Sequence, residues 1–228
     1  MVRARVIETM EGIQDAFDAA AYDRQMRKMW RRGWIETPEI LNAGITAGTA
    51  LEISPGPGYL GIDWLRRTEG TRLVALDISA EMLKRSRDNA GREGVGDRAE
   101  YVHGDACAMP FEDGRFDAAF ANGGLHEWAD PIAVFDEIAR VLKPGGRYCI
   151  TDLRRDAPWI VRRLVPLTVR ERSMRLGFTS SIDAAYTPRE ARELVARSSL
   201  LSPTVSGNLL GVVIAGVQSK SRSPAAAV

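Results

Sequence analysis

Residues 51–61 read LEISPGPGYLG and contain the spacing Gly56-x-Gly58-x-x-Gly61. Dinucleotide-binding proteins carry this pattern, in which the glycines allow a tight turn and a close approach of the backbone to a pyrophosphate. Glu52, however, lies four residues before the first of these glycines, and a carboxylate beside a pyrophosphate would be repulsive. The stretch therefore predicts a ligand-binding loop between a strand and a helix. It leaves open whether the ligand is a dinucleotide or a molecule that carries positive charge.

Strands and helices alternate after this loop. Strands are predicted at residues 50–53, 73–77, 99–103, 116–121 and 146–152, and helices between them at residues 59–68, 80–92 and 131–141. Alternation of this kind predicts right-handed βαβ units and a parallel sheet. Further strands are predicted near residues 203–207 and 209–217. The fold class is therefore α/β, with a doubly wound, mostly parallel sheet of seven strands.

The remaining segments are arranged around this core. Residues 1–48 are predicted to form a helical cap and residues 49–153 the ligand-binding core. Residues 154–186 form an insertion after the fifth strand, where a lid would lie. Residues 187–218 supply a helix and the last strands, and residues 219–228 form a tail that is predicted to be disordered.

Composition narrows the classes of partner. The chain has 228 residues with 31 basic and 30 acidic side chains, a balance that argues against a nucleic-acid partner. Its two cysteines and two histidines form no cluster with metal-ligand spacing, so no metal is predicted. The chain begins without an apolar leader segment and has no apolar run of membrane-spanning length. We therefore expect a cytoplasmic protein without a membrane span. The sequence does not indicate an oligomeric state.

Several motifs, taken together, resemble those of one enzyme family. Residues 52–58, EISPGPG, resemble the acidic loop E/D-x-G-x-G-x-G of class I S-adenosylmethionine-dependent methyltransferases, with Ser54 in place of the first glycine. The segments VALDIS (74–79), HGDACAMPF (103–111), FDAAFANGGLHEWADP (116–131) and ARVLKPGGRYCITD (139–152) follow in the order that the family shows. The resemblance covers roughly residues 49–152. It points to the small-molecule, type 11-like members of the family and to their Rossmann-like fold.

The resemblance implies S-adenosylmethionine as the cofactor. This molecule carries an ammonium and a sulfonium but no phosphate, which agrees with the position of Glu52. Asp77 is expected to bind the ribose hydroxyls, Asp105 to contact the adenine and the main chain of Asn122 to contact the methionine end. The full set of implied cofactor-binding residues is Glu52, Ser54, Gly56, Gly58, Asp77, Ile78, Met82, Asp105, Ala106 and Asn122.

The sequence gives fewer signals for the residues that would bind the methyl acceptor than for those that would bind the cofactor. His126 lies just after the fourth predicted strand, where a histidine could act as a general base near neutral pH. The alternative is a purely structural histidine. Glu127 is expected to face solvent. The predicted acceptor pocket is lined by Tyr22, Trp34, His126 and Tyr186.

The sequence thus favours methyl transfer to a small molecule through an oxygen, nitrogen, sulfur or carbon nucleophile. The segment ANGG at residues 121–124 lacks the [ND]-P-P-[YF] pattern of enzymes that methylate base amines. Two alternatives stay open. The chain could be a regulatory or partner-binding module that binds S-adenosylmethionine. It could also be an NAD-dependent oxidoreductase, which is disfavoured by Glu52 and by the lack of a Tyr-x-x-x-Lys pair.

Overall fold

The structure, a computed structural model, describes residues 4–6, 16–164 and 172–219. The strands are β1 Thr49–Ile53, β2 Arg72–Asp77, β3 Ala99–His103, β4 Phe116–Asn122, β5 Leu142–Leu153, β6 Thr204–Gly207 and β7 Gly211–Gln218. The α-helices of the described residues are α1 Ala16–Arg31, α2 Thr37–Asn42, α3 Tyr59–Arg67, α4 Ala80–Arg92, α5 Pro131–Val141, α6 Trp159–Leu164, α7 Arg172–Ala184 and α8 Pro188–Val195. None of these helices is long and apolar enough to cross a membrane.

The strands form one sheet in the order β3-β2-β1-β4-β5-β7-β6. Neighbouring strands run parallel from β3 through to β5, and β7 runs antiparallel to both β5 and β6. The chain winds outward from β1 to β3 and then returns to the other side of β1 as β4. This arrangement confirms the predicted doubly wound, mostly parallel sheet. Its switch point, where such sheets bind ligands, lies between β1 and β4.

Local sequence signals explain most element boundaries. Helix α4 begins where predicted, because the hydroxyl of Ser79 accepts a hydrogen bond from the backbone N–H of Met82 at 3.2 Å. Helix α5 ends at Val141, before the Lys-Pro-Gly-Gly segment. The predicted strand begins at residue 146, whereas β5 begins at Leu142 and includes this segment. The pairing of β4 with β5 jumps there, from Leu142 to Arg147, so residues 143–146 bulge out of the ladder.

The insertion is more helical than the sequence predicts. Residues 154–186 were predicted as an insertion to which no helix was assigned, whereas α7 spans Arg172–Ala184 and buries Ile182. The guanidinium of Arg162 on α6 donates a hydrogen bond to Asp183 on α7 at 2.5 Å. Pro166, whose ring would break or kink a helix, lies outside the described residues, as do residues 220–228 of the tail. The role of the insertion as a lid stays a prediction.

The strand β1 presents alternate side chains to two apolar layers. Leu51 and Ile53 pack into the layer that includes α5 and α8, and Ala50 packs into the layer that includes α3. Glu52 points to the same side as Ala50. A carboxylic acid therefore lies in the interior, between β1 and α3, just below the glycine-rich loop.

Candidate active site

A cavity lies at the carboxyl ends of β1, β2 and β4, under helix α1. Its position is the switch point of the sheet, where the topology predicts a ligand site. Nine of the ten predicted cofactor-binding residues line it, namely Glu52, Ser54, Gly56, Asp77, Ile78, Met82, Asp105, Ala106 and Asn122. These residues lie on four separate segments of the chain, and the sheet brings them together around one space.

Glu52 is the most unusual group in the wall. Its side chain is 1% exposed, and its Oε1 accepts a hydrogen bond from the backbone N–H of Gly61 at 3.2 Å. The other oxygen, Oε2, is buried without a hydrogen-bond partner in the described part of the chain. Burial raises the pKa of Glu52 to about 8. A positively charged ligand group would supply the missing partner.

The third glycine of the loop pattern makes room for this acid. A Cβ at Gly61 would lie 2.2 Å from Oε2 of Glu52 and 2.5 Å from Cδ2 of Leu73. No side chain fits at this position while Glu52 occupies the space between β1 and α3. In this protein the third glycine therefore allows a carboxyl group to be buried against the helix.

Asp77 connects the loop to the next helix. Its Oδ2 accepts a hydrogen bond from the backbone N–H of Gly56 at 3.2 Å, and its Oδ1 accepts one from Ser79 at 2.8 Å. Burial raises the pKa of Asp77, although both backbone donors oppose the shift. The acid that ends β2 therefore also fixes the conformation of the glycine-rich loop.

Gly58 differs from the other predicted cofactor-binding residues because it does not line the cavity. It precedes α3 in the left-handed conformation, with φ +85°. A Cβ there would lie 2.1 Å from Oγ of Ser86 on α4. Its contact with the cofactor stays a prediction, and the structure gives it a different role in the close packing of the loop on α4.

Helix α1 covers the cavity with Tyr22 and Met26. Carbon Cε1 of Tyr22 lies 3.4 Å from the position that a Cβ of Gly56 would take. Burial raises the pKa of the Tyr22 hydroxyl, and the nearby carboxylates of Glu127, Asp152 and Asp77 raise it further. Tyr22, predicted for the acceptor pocket, therefore does lie in the cavity wall.

One carboxylate anchors this helix to the core. Oδ1 of the buried Asp23 accepts hydrogen bonds from the hydroxyl of Tyr59 at 2.9 Å and from Nδ2 of Asn89 at 2.8 Å. Tyr59 and Asn89 belong to α3 and α4. Asp23 therefore holds α1 over the cavity.

Replacing Asp23 by alanine is expected to destabilise the protein by about 1–3 kcal/mol, because two buried donors lose their acceptor. The loss should appear in urea unfolding and should be accompanied by weaker cofactor binding as α1 loosens. Lys28→Ala, an exposed change on the same helix, is the control and should alter neither quantity. Unchanged stability in Asp23→Ala would show that α1 is held in another way.

The predicted catalytic histidine lies behind the cavity wall. Nδ1 of His126 is 2.9 Å from both carboxylate oxygens of Asp152 on β5, and its backbone N–H donates to Oδ2 of Asp152 at 2.8 Å. His126 is 4% exposed and is not among the lining residues. Its Nε2 lies 3.8 Å from Oε1 of Glu127, which does line the cavity. The role of His126 as a general base stays a prediction.

The other acceptor-side predictions have mixed outcomes. Trp34 is 54% exposed, lies against the guanidinium of Arg32 and does not line the cavity. Tyr186 also lies outside the cavity wall, with the guanidinium of Arg5 over its ring at 4.2 Å. Glu127, which was expected to face solvent, has a side chain that is 43% exposed, and it also lines the cavity. Asp152 and Trp128 were not singled out from the sequence, although the structure gives both of them contacts at this site.

The charge of the wall distinguishes between ligand classes. Four carboxyl side chains line the cavity, those of Glu52, Asp77, Asp105 and Glu127, and no lysine, arginine or histidine is among its described lining residues. A dinucleotide would place its pyrophosphate among these acids. The wall instead fits a ligand with positive charge and no phosphate. Within residues 4–6, 16–164 and 172–219, no group of three or more potential ligands could hold a metal ion.

Comparisons with known proteins agree with this geometry. A family model described as a methyltransferase domain matches residues 51–150. The chain is 31% identical over 172 residues to a demethylmenaquinone methyltransferase of Clavibacter sepedonicus, covering 72% of this chain and 66% of that protein. It is 31% identical over 169 residues to the ubiquinone/menaquinone biosynthesis C-methyltransferase UbiE of Hahella chejuensis, covering 69% and 66%.

A solved structure shows the same fold. A proposed S-adenosylmethionine-dependent methyltransferase of Methanococcus maripaludis superposes with a TM-score of 0.72 at 21% identity, over 96% of this chain and 100% of that one. The strand order and the position of the cavity thus define a Rossmann-like methyltransferase fold. The chain belongs to the class I S-adenosylmethionine-dependent methyltransferases, and its cofactor is S-adenosylmethionine. It spans 66% of the length of each of the two curated relatives above.

Proposed function

We propose that this protein transfers the methyl group of S-adenosylmethionine to a small-molecule acceptor. The observation that carries the proposal is the acidic cavity at the switch point of the sheet, whose wall includes the buried, unpartnered Oε2 of Glu52. When bound there, S-adenosylmethionine would supply a methyl group activated by a positively charged sulfur. No residue of the described wall requires a bound dinucleotide to account for its position.

Each part of the wall has a role in this proposal. Glu52 balances the positive charge of the amino-acid end, and Asp77 accepts hydrogen bonds from the ribose hydroxyls. Asp105 and Ala106 contact the adenine. Ile78 and Met82 cover the apolar faces of the ring. The main chain of Asn122 contacts the methionine end. Its side-chain oxygen already accepts a hydrogen bond from the hydroxyl of Thr151 at 2.9 Å.

The chain would promote the reaction mainly by alignment. Methyl transfer is an in-line displacement with a good leaving group, and correct orientation alone can lower such a barrier by about 7–11 kcal/mol. Tyr22 and Met26 on α1 would exclude water from the reacting atoms, since both cover the cavity. A side chain that accepts a proton is required only for an acceptor that must lose one. Glu127 and the His126–Asp152 pair are the candidates for that step.

A reduced quinone is the first acceptor to test. The two curated relatives described above are named for quinone methylation, and the ring of a reduced quinone is uncharged, which is compatible with a wall that has no basic groups among its described lining residues. We further expect the reaction to take place in the cytoplasm, as the sequence predicts. The acceptor class is part of the proposal and is open to direct measurement.

The test is incubation of the protein with methyl-labelled S-adenosylmethionine and demethylmenaquinol, followed by organic extraction. Label in the extract, lost in Glu52→Gln, is the expected result. Label that enters another small molecule of a cell extract, and not the quinol, would contradict the acceptor class but support methyl transfer. Binding of S-adenosylhomocysteine without any transfer would favour the alternative of a regulatory module.

A further inference from the structure

Ser54 adopts a backbone conformation that side chains disfavour. Its φ is +53°, and among the described residues only Ser202 is a second non-glycine with positive φ. The Cβ of an ordinary residue is crowded by the backbone in this left-handed region, which glycine enters freely. The acidic loop motif E/D-x-G-x-G-x-G, which this stretch resembles, has a glycine at this position. In this chain, other contacts must therefore keep Ser54 in place.

Trp128 makes the contact that distinguishes Ser54 from a glycine. Its indole Nε1 donates a hydrogen bond to Oγ of Ser54 at 3.3 Å. Trp128 is 8% exposed, and a buried indole N–H requires an acceptor. Gly124 lies beside this bond, and a Cβ there would be 3.1 Å from Cβ of Ser54 and 3.2 Å from Nε1 of Trp128. The three residues are thus in close contact.

Trp128 is itself held by the core. Its ring packs edge-on against Phe135 of α5, with ring centroids 5.9 Å apart. Its backbone N–H donates to the carbonyl of Gly124 at 3.2 Å. Two residues further on, Asp130 caps α5 by accepting from the backbone N–H groups of Ile132 and Ala133. The indole N–H is therefore presented to Ser54 from a fixed position.

Ser54 in turn sets the start of the cofactor loop. Its backbone N–H donates to the carbonyl of Leu76 on β2 at 2.9 Å, so both its main chain and its hydroxyl are bound. The chain then continues to Gly56, whose N–H is held by Asp77. A change in the conformation of Ser54 would move the loop relative to both acids in the cavity wall.

We propose that Trp128 is a positioning residue. Its indole N–H holds Ser54 in the left-handed conformation and so sets the cofactor loop in a chain that lacks the glycine at this position. The inference rests on the cofactor assignment above. The same hydrogen bond connects the cofactor loop to the segment after β4 that carries Glu127. Both segments line the cavity, so the bond fixes the position of one part of the wall relative to the other.

The first arm of the test compares Ser54→Ala with Ser54→Gly. In the left-handed conformation alanine is as disfavoured as serine, and it lacks the hydrogen bond that would hold it there, whereas glycine adopts the conformation without help. Titration calorimetry with S-adenosylhomocysteine should show about fivefold to tenfold weaker binding for Ser54→Ala, because the loop must return to its binding conformation without the contribution of one hydrogen bond. Ser54→Gly should bind S-adenosylhomocysteine more tightly than Ser54→Ala, because glycine needs no hydrogen bond to hold the left-handed conformation. The melting temperature should likewise be lower for Ser54→Ala, a result that needs no ligand.

The second arm combines Trp128→Phe with Ser54→Gly. Phenylalanine keeps an aromatic ring beside Phe135 and removes the N–H. Trp128→Phe alone should weaken binding about fivefold to tenfold, and in the Ser54→Gly background it should have less than a twofold effect. Equal losses in both backgrounds would show that Trp128 acts only by packing and would overturn the proposal, as would equal behaviour of Ser54→Ala and Ser54→Gly. Failure of the wild type to bind S-adenosylhomocysteine would instead contradict the cofactor assignment.

Discussion

Glu52→Gln is expected to weaken the binding of S-adenosylhomocysteine by about tenfold to a hundredfold at pH 8.5. A hydrogen bond to a charged group contributes about 1.5–3 kcal/mol, and this substitution removes the charge. Glutamine keeps an oxygen that can accept the hydrogen bond from Gly61, so the space between β1 and α3 stays filled. Glu69→Gln, an exposed change in a turn, is the matched control and should bind as the wild type does.

Glu52→Gln should also abolish the pH dependence of S-adenosylhomocysteine binding. The pKa of Glu52 is about 8 in the free protein, so at pH 6–7 the carboxyl holds a proton that must leave before it can balance a cationic ligand. Raising the pH through 8 removes that cost, and the dissociation constant of the wild type should fall between pH 6 and 9. Glu52→Gln has no such proton and should lack this component. An equal slope in both proteins would contradict the role given to Glu52.

The wild-type protein should become less stable as the pH rises, whereas its binding of S-adenosylhomocysteine should become tighter. Glu52 is ionised above its ordinary pKa in the unfolded chain, whereas the folded protein retains the proton up to about pH 8. The folded state therefore binds more protons in this window, and its stability falls as the pH rises from about 4.5 to 8. Glu52→Gln should be more stable than the wild type at pH 9, measured by thermal unfolding without ligand.

Gly58→Ala is expected to be strongly destabilising. The left-handed conformation costs a side chain about 1–2 kcal/mol. A Cβ would also lie 2.1 Å from Oγ and 3.2 Å from Cα of Ser86, and overpacking of this kind costs about 1–3 kcal/mol more. For a chain of this length the melting temperature should fall by roughly 10 °C, with weaker cofactor binding as the loop shifts away from α4.

Gly94→Ala separates the cost of the left-handed conformation from the cost of the contact with Ser86. Gly94 also has a left-handed φ, +73°, but a Cβ there would meet nothing within 4 Å. It should therefore lose only the conformational part of the stability. If Gly58→Ala and Gly94→Ala lower the melting temperature equally, then the contact with Ser86 has no cost and the loop is not closely packed on α4.

The fold could be predicted from the sequence because its signals are local. Ser79 and Asp130 cap helices α4 and α5 at the predicted residues, and alternating strands and helices determine the winding of the sheet. The helix α7 was missed because its Gly- and Ser-containing segment has weak helical propensity. Its described contacts are tertiary, through the buried Ile182 and the bond between Arg162 and Asp183.

The site was predicted only in part, for a related reason. Acids at strand ends, such as Glu52 and Asp77, can be found from position alone. The partner of His126 could not be found in this way, because Asp152 is 26 residues away and meets it only across β4 and β5. The bond between Trp128 and Ser54 spans 74 residues. Contacts of this kind depend on the assembled sheet and have no local sequence signal.

The most direct test of the central claim is calorimetric titration of the wild-type protein, at pH 8.5, with S-adenosylhomocysteine and with NAD in parallel. The acidic cavity wall predicts saturable binding of one S-adenosylhomocysteine per chain and no measurable binding of NAD. Tighter binding of NAD, or no heat with S-adenosylhomocysteine, would contradict the claim that Glu52 and its neighbouring acids form a site for a cationic cofactor.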